Sequence, residues 1–246
     1  MKSRRDKAQR VKERYAEMAS PLRGDSTAAA GRLEQMGYSP QEIASVPESS
    51  LGALGCGNPT ALAGLKEGQT VLDIGCGAGL DAFLAARKVG PKGQVIGADM
   101  TAELIERARR GAAECGYGNV EFLQGQMEHL PLPDESVDVI ISNCVMNHAV
   151  DKTAAFRETW RVLRRGGSIH IADLVTEGPM PPASTPGLEV WAEWVTAAAG
   201  KNEYLDAVGR AGFRDITVLA QKPFDSPAML QPLKGKIVSL HVTARK

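Results

Sequence analysis

Short apolar runs alternate with segments of helical periodicity from Gln69 onward. The apolar runs predict five β-strands, at 70–74, 94–99, 120–125, 137–143 and 168–174. The intervening segments predict helices at 80–90 and 101–116, and a third over "KTAAFRETWRVLRR", which Asp151 caps and Gly166-Gly167 end. Strands that alternate with helices in this way imply βαβ units, which build a parallel sheet.

The pattern changes on both sides of this region. After residue 175 the chain predicts two helices, around 187–199 and 201–211, and two antiparallel closing strands, 215–220 and 236–244. Before it, apolar positions at helical spacing predict a helix over 3–19. We therefore predict an α/β fold with a doubly wound, mostly parallel seven-stranded sheet. Its parts are an N-terminal helical lid and connector (1–50), a central core (51–175), and a C-terminal substrate-side lobe with the closing strands (176–246).

The composition narrows the classes of function. Of 246 residues, 43% are apolar, and 29 basic residues balance 29 acidic ones. A neutral chain lacks the basic excess that a broad nucleic-acid interface needs. Because no apolar run is long enough for a signal peptide or a membrane span, we expect a cytoplasmic protein without nucleic-acid or membrane partners. The four cysteines are then expected to be free thiols, ligands or small core residues rather than disulfides.

A glycine-rich turn follows the first predicted strand. In "LDIGCGAGLD", Gly75, Gly77 and Gly79 recur at every second position, and Asp73 precedes them. Such a turn lets the backbone approach a ligand at the N-terminus of a helix. Its G-x-G-x-G spacing differs from the dinucleotide fingerprint and is similar to that of S-adenosylmethionine (SAM) methyltransferases; the alternative is a structural strand–helix turn. Cys76 is expected to present its backbone to the cofactor rather than to react.

Two further segments support a SAM site. Asp99 ends the second predicted strand, where an acidic side chain can accept both ribose hydroxyls, and Met100 beside it can pack on adenine. Gln126, the Met127 backbone and Glu128 follow the third strand and are candidates for the adenine edge. We therefore predict SAM as the cofactor and S-adenosylhomocysteine as its product.

Candidate substrate residues follow the fourth strand in "SNCVMNHAVDK". Ligands of such sheets bind outside the carboxyl ends of the strands, so we expect Asn143, Cys144, Asn147 and His148 near the transferable methyl group. Cys56 lies ahead of the first strand in "GCGNP", a predicted turn, and its thiol is expected to be exposed.

These segments resemble the arsenite SAM methyltransferases, a family of class I, Rossmann-like enzymes. The paired motifs Gly-Cys-Gly-Asn-Pro and Ser-Asn-Cys-Val carry the resemblance more specifically than the glycine turn, and it covers most of the chain. It implies that cysteine thiolates hold trivalent arsenic, whose lone pair attacks the methyl group of SAM in line. Cys56 and Cys144 match two of the three family cysteines. Trp194 occupies the third position, and no cysteine follows Cys144.

The missing third cysteine leaves the methyl acceptor open. Two thiolates can hold a species that already carries one methyl group, or arsenite with a small external thiol as the third sulfur donor; no other metal is expected. Alternatively, the enzyme methylates oxygen, nitrogen or carbon of a small organic metabolite, with His148 as a base and Trp191 and Trp194 over the pocket. A third class is a non-catalytic metalloid- or SAM-binding protein. In the N-terminal helix, Tyr15 can contact SAM.

Overall fold

A seven-stranded mixed sheet organises the computed structural model, which describes residues 26–52, 55–182, 185, 198–224 and 229–246. The strands are β1 (Thr70–Ile74), β2 (Gln94–Asp99), β3 (Val120–Gln124), β4 (Val137–Asn143), β5 (Leu163–Thr176), β6 (Arg214–Pro223) and β7 (Ile237–Arg245). Their order in the sheet is β3-β2-β1-β4-β5-β7-β6. β1 to β5 are parallel, and β7 pairs antiparallel with β5 and β6. This confirms the predicted fold class, including the two antiparallel closing strands.

Helices lie on both faces of this sheet. They are α1 (Ser26–Gln35), α2 (Pro40–Ala44), α3 (Pro59–Leu62), α4 (Leu80–Val89), α5 (Ala102–Glu114), α6 (Lys152–Val162) and α7 (Lys201–Arg210). Asp151 caps α6 as predicted, since its carboxylate accepts from the Ala154 N–H. Thr101 stands at the N-cap of α5 without a capping hydrogen bond from its side chain.

One predicted boundary needs correction, and other predictions lie beyond the described residues. Within the predicted lid and connector at 1–50, the described residues contain the helices α1 and α2. The third helix ends at Val162, and Gly166-Gly167 lie inside β5 rather than after a helix. The predicted helix over 3–19, most of that over 187–199, and Tyr15, Trp191 and Trp194 fall outside the described residues.

A bulge in β5 explains the two glycines. The register shifts so that Val137 pairs with Leu163 but Val139 pairs with Ser168, which leaves extra residues on β5. A Cβ on Gly167 would lie 2.7 Å from the Asp138 carbonyl oxygen. The pairing with β4 therefore requires a residue without a side chain at Gly167. The sequence analysis placed these glycines at a helix end because helical periodicity carries no information about strand pairing.

Aromatic side chains anchor the core on each face of the sheet. On the α4–α5 face, the rings of Phe83 and Phe122 meet edge to face with centroids 5.5 Å apart. On the α6–α7 face, Phe156 and Tyr204 make the same kind of contact at 5.5 Å. Within the described residues, no helix is both long and apolar enough to span a membrane.

A smaller cluster joins the N-terminal helices to the helix that follows the glycine turn. Leu33 of α1 and Ile43 of α2 pack against Leu80 and Leu84 of α4. α2 is fixed in place by a capping box in which Ser39 and Glu42 exchange hydrogen bonds. The helices α1 and α2 are therefore packed against the helix that follows the glycine turn.

Leu84→Ala tests this packing. The Leu84 side chain is 2% exposed, so truncation leaves a cavity, and we expect the free energy of unfolding to fall by about 2–5 kcal/mol. The matched control is Leu219→Ala on β6, where the leucine is 43% exposed and the expected loss is within about 0.5 kcal/mol. Urea denaturation measures both changes. Equal losses in the two variants would contradict the proposed packing.

Candidate cofactor and thiol site

Three left-handed glycines form the turn between β1 and α4. Their φ angles are 72° at Gly75, 53° at Gly77 and 94° at Gly79, a region that favours glycine. The N–H groups of Gly75 and Cys76 both donate to the Ala98 carbonyl, at 2.7 and 3.1 Å, and the Cys76 carbonyl accepts from the Gly79 N–H at 2.8 Å. The backbone groups of Cys76 thus have hydrogen-bond partners within the fold, and its contact with the cofactor stays a prediction.

Gly77 is the open point of this turn. A Cβ on Gly75 would lie 2.3 Å from a methyl group of Val145, and one on Gly79 would lie 2.8 Å from the Phe83 ring. At Gly77, no described atom comes within 4 Å of the same position. A ligand can therefore approach the backbone closely at Gly77, while its neighbours are packed from within.

Buried acids lie beside this turn. Asp73 is 2% exposed, and its Oδ2 atom has no hydrogen-bond partner among the described residues. Burial raises the pKa of Asp73 well above its ordinary value, and the charges of Asp81 and Asp99 raise it further. An unpartnered carboxylate oxygen beside an open glycine turn suits a cationic ligand such as a sulfonium or an ammonium group.

The Asp99 carboxylate orders the end of β2. Its Oδ2 accepts from the Gly77 N–H at 3.0 Å, and its Oδ1 accepts from the Thr101 N–H at 2.8 Å. The Gly125 N–H in turn donates to the Asp99 carbonyl at 2.9 Å, which ties the loop after β3 to the same edge of the sheet. Asp99 therefore lies beside the glycine turn, as its predicted role requires.

The candidate adenine residues lie at this edge as well. Met100 is half-buried directly after Asp99, and the Met127 side chain packs against the core. Gln126 forms an isolated bridge with His129. The Glu128 carboxylate accepts from the Val150 N–H at 3.0 Å, which links the β3 and β4 loops.

The Cys56 and Cys144 thiols meet in one buried cluster. Both side chains belong to the same cluster of buried residues, and the residues are 7% and 5% exposed. Burial raises the pKa of the Cys56 thiol well above its ordinary value, and the Cys144 thiol adds to this effect. The apolar residues of the cluster are Ala172, Leu174, Met229, Leu233 and Ile237. The Cys56 thiol is therefore expected to be protonated in the free protein.

The burial of Cys56 corrects the expectation of an exposed thiol. The predicted turn is present, but hydrogen bonds from Asn143 on one side and Ser239 on the other bury it. The Asn143 carbonyl oxygen accepts from the Cys56 N–H at 3.0 Å, and the Asn143 amide nitrogen donates to the Gly57 carbonyl at 2.7 Å. From β7, the Ser239 hydroxyl donates to the Cys56 carbonyl at 2.7 Å, and the His241 ring fills the space above Gly57.

Cys144 carries backbone strain. Its φ angle is +61°, which is uncommon for a residue with a side chain, and its N–H donates to the Ala172 carbonyl at 2.7 Å. Strain of this kind costs on the order of 1–3 kcal/mol and is concentrated at functional sites. The conformation turns the chain sharply at the end of β4.

Asn147 and His148 follow in a 3₁₀ turn, Met146–His148. The buried Asn147 side chain donates to the Leu174 carbonyl and accepts from the Ala199 N–H at 3.1 Å. Asn147 thus connects the turn after β4 to Leu174 and Ala199. The sequence analysis predicted a place in the substrate pocket for Asn147 but not these hydrogen bonds. His148 is half-buried.

Sequence analysis missed a buried acid behind the thiols. The Asp173 carboxylate accepts from the N–H groups of Asn147 and Leu174, at 3.0 and 2.9 Å, and from the Tyr204 hydroxyl at 3.1 Å. Burial raises its pKa to about 6. The sequence did carry one signal for this residue, since Asp173 is an acid inside the apolar strand "SIHIADL". Asp81 and Tyr38 were missed as well, because they are hydrogen-bonded to each other although they are 43 residues apart in the sequence.

Comparison with known proteins places these features in a family. The model of a family described as "Methyltransferase domain" matches residues 65–212. An arsenite methyltransferase of Halobacterium salinarum is 44% identical over 194 residues, which cover 79% of this chain and 49% of that protein. One of Aquipseudomonas alcaligenes is 34% identical over 184 residues, covering 72% of this chain and 53% of that protein. The chain thus spans about half the length of these curated relatives.

A solved structure supports the same assignment. CrArsM, an arsenic (III) S-adenosylmethionine methyltransferase from Chlamydomonas reinhardtii, is 31% identical, with a TM-score of 0.70 over 87% of this chain and 73% of that one. The fold, the glycine turn and these matches define the class, that of SAM-dependent methyltransferases. Within this class, the chain belongs to the arsenite methyltransferase family.

The raised pKa of Asp173 predicts a pH-dependent contribution to stability. Because its pKa is about 6 in the folded protein and about 3.9 when unfolded, the folded state binds the extra proton. This contribution is complete below about pH 4 and is lost as the pH rises through about 6. The loss is on the order of 3 kcal/mol.

Asp173→Asn tests this linkage. We expect the destabilisation that it causes relative to the native chain to be largest near pH 4 and to shrink toward pH 7, as followed by urea denaturation. Asp206→Asn, on the exposed side of α7, is the control and should follow the native profile. A destabilisation by Asp173→Asn that is constant with pH would contradict the raised pKa.

Proposed function

We propose that this chain transfers a methyl group from SAM to trivalent arsenic that is bound by Cys56 and Cys144. One observation carries the proposal. Two buried thiols from segments far apart in the sequence lie in the same apolar cluster beside the carboxyl end of β4. That edge of the sheet also holds the glycine turn and Asp99.

The chemistry of the thiol pair suits a soft centre. Trivalent arsenic prefers sulfur ligands, and the apolar residues around the pair keep competing water away. The raised pKa of the Cys56 thiol does not prevent capture, because a thiol S–H condenses with an As–OH group to give an As–S bond and one water molecule. The two thiol protons leave with the hydroxyl groups, so binding requires no separate base.

The number of thiols limits the arsenic species. The chain has four cysteines, of which Cys76 is buried in the core between β2 and α4 and Cys115 is exposed at the end of α5. A two-thiol site is complete for methylarsenite, which has two exchangeable hydroxyl groups and keeps its methyl group. Arsenite needs a third sulfur, which a small external thiol would supply.

The residues around the glycine turn fit SAM. When bound, SAM supplies an electrophilic methyl group on a sulfonium. Asp73 and the turn would hold its cationic amino-acid part, and Asp99 would hold the ribose hydroxyls. The unpartnered oxygen of Asp73 and the open position at Gly77 support this placement. Holding donor and acceptor in contact is the main contribution that these residues make to the rate.

Other predicted residues complete the proposed site. Met100, Gln126, the Met127 backbone and Glu128 would surround the adenine, and Asn143 lies between the cofactor side and the thiols. Tyr15 would contact SAM, with Trp191, Trp194, Asn147 and His148 on the acceptor side. The proposal also keeps a lid and connector at 1–50, a SAM-binding core at 51–175, an acceptor-side lobe at 176–246, and a cytoplasmic location.

Cys144→Ser and Cys56→Ser test the thiol pair. With labelled SAM and methylarsenite, we expect each variant to lose at least about 100-fold in kcat/KM, a free-energy loss of about 2.7 kcal/mol. Cys115→Ser is the matched control, since this thiol is exposed and remote, and it should keep the native rate. Activity is measured as methylated arsenic product.

A panel of acceptors distinguishes the alternatives. Arsenite with and without glutathione tests the external thiol, and a few phenols and amines test organic acceptors. Arsenic methylation that survives both serine substitutions would overturn thiolate capture. Methylation of an organic acceptor, unchanged in Cys56→Ser, would indicate the second class of enzyme. Tight methylarsenite binding without turnover would indicate a binding protein.

Asp99→Asn tests the cofactor side. If Asp99 accepts the ribose hydroxyls, loss of its charge should weaken binding of S-adenosylhomocysteine by about 10–100-fold. Isothermal titration calorimetry measures the Kd, and Asp134→Asn, an exposed acid on the opposite side of β4, should bind like the native chain. An unchanged Kd in Asp99→Asn would remove Asp99 from the site.

A further inference from the structure

A buried polar bridge connects the cofactor side of the molecule to the Cys56 turn. It consists of Tyr38, Asp81 and Asn143, which come from three separate segments. Asp81 lies in the first turn of α4, two residues after Gly79, and is 6% exposed. The methyltransferase reaction as proposed above assigns no role to Tyr38 or Asp81.

The hydrogen bonds of this bridge form a continuous path. The Tyr38 hydroxyl donates to both carboxylate oxygens of Asp81, at 2.9 and 3.0 Å. The Asn143 amide nitrogen lies 3.1 Å from the Asp81 carboxylate, 2.9 Å from the Tyr38 hydroxyl and 2.7 Å from the Gly57 carbonyl. On its other side, the Asn143 carbonyl oxygen accepts from the Cys56 N–H.

Asp81 determines which way the Asn143 amide faces. In the observed orientation, the NH₂ group faces a carboxylate and a carbonyl, and the oxygen faces the Cys56 N–H. The flipped orientation would place an oxygen against two acceptors and an NH₂ group against a donor. A charged acceptor strengthens the observed choice, because hydrogen bonds to ionised groups are roughly twice as strong as neutral ones.

Asp81 is also within electrostatic reach of the glycine turn. Its charge is one of the causes that raise the pKa of Asp73, the acid with the unpartnered oxygen. A cation bound at Asp73 would favour the ionised form of Asp81 and so strengthen its hydrogen bonds with Asn143 and Tyr38.

We propose that Asp81 is a positioning residue that, through Asn143, holds the Cys56 thiol against Cys144 and couples occupancy of the cofactor site to capture of arsenic. This inference rests on the proposed function for the identity of the captured species. The physical coupling between the glycine turn and the Cys56 turn does not depend on that identity.

Alkylation of the thiols measures the coupling directly. The full chain is treated with iodoacetamide with and without saturating S-adenosylhomocysteine, and the rates at Cys56, Cys144 and Cys76 are obtained by mass spectrometry. In the native chain, we expect S-adenosylhomocysteine to slow alkylation of Cys56. Asp81→Asn should raise the Cys56 rate about tenfold relative to Cys76 and abolish that protection, because a charged acceptor of Asn143 is lost. Asp206→Asn should behave like the native chain.

Two results would overturn the proposal. One is a Cys56 rate and a protection in Asp81→Asn equal to those of Asp206→Asn. The other is an equal rise at Cys56 and Cys76, which would show general loosening. If Asp81→Asn does not fold, Tyr38→Phe decides, since it removes one donor to Asp81 and changes little volume. A selective rise at Cys56 in that variant supports the bridge, and no rise contradicts it.

Activity separates this proposal from the proposed function. With methylarsenite, Asp81→Asn should raise KM about tenfold while the Kd for S-adenosylhomocysteine changes less than about threefold. An unchanged KM, or equal losses in KM and cofactor affinity, would contradict a positioning role. If the native chain methylates no arsenic species, the proposed function fails, and the alkylation rates still decide whether the bridge couples the two sites.

Discussion

The site depends on the pair of hydrogen bonds that the side-chain amide of Asn143 makes with the Cys56 turn. Its oxygen and nitrogen satisfy opposite backbone groups of one turn, the Cys56 N–H and the Gly57 carbonyl. A Gly-rich turn without this clamp would expose its thiol to solvent, as turns commonly do. Asn143 ends β4, and Cys144 follows it with a left-handed φ angle. The end of β4 thereby positions both the Cys56 turn and Cys144.

The topology explains why one amide can do this. β1, β2 and β4 are parallel, so their carboxyl ends bring the glycine turn, Asp99 and Cys144 to one edge. The antiparallel β7 then lies two strands from β4 and contributes Ser239 and His241 to the other side of the Cys56 turn. The parallel strands supply the cofactor side of the site, and the antiparallel addition closes the thiol side.

The sequence predicted what depends on local pattern. Apolar runs located the seven strands, and the glycine spacing with Asp73 and Asp99 predicted the proposed cofactor side. The burial of Cys56 was not predictable in this way, because its partner Asn143 is 87 residues away. The hydrogen bond between Asp81 and Tyr38 was not predictable for the same reason, because the two residues are 43 positions apart. The bulge at Gly166-Gly167 likewise depends on the register with β4.

The site concentrates groups that are unfavourable in the folded protein alone. Asp73, Asp81 and Asp173 are buried acids with raised pKa values, and Cys144 is strained. Each would be more easily accommodated in the unfolded chain, so their retention reduces stability. A bound cation offsets part of the repulsion between Asp73 and its neighbouring acids. Any ligand that binds only the folded state also stabilises it by mass action. In the proposed site, stability and cofactor binding are therefore linked through the same carboxyl groups, and the role proposed for Asp81 extends this link to the thiols.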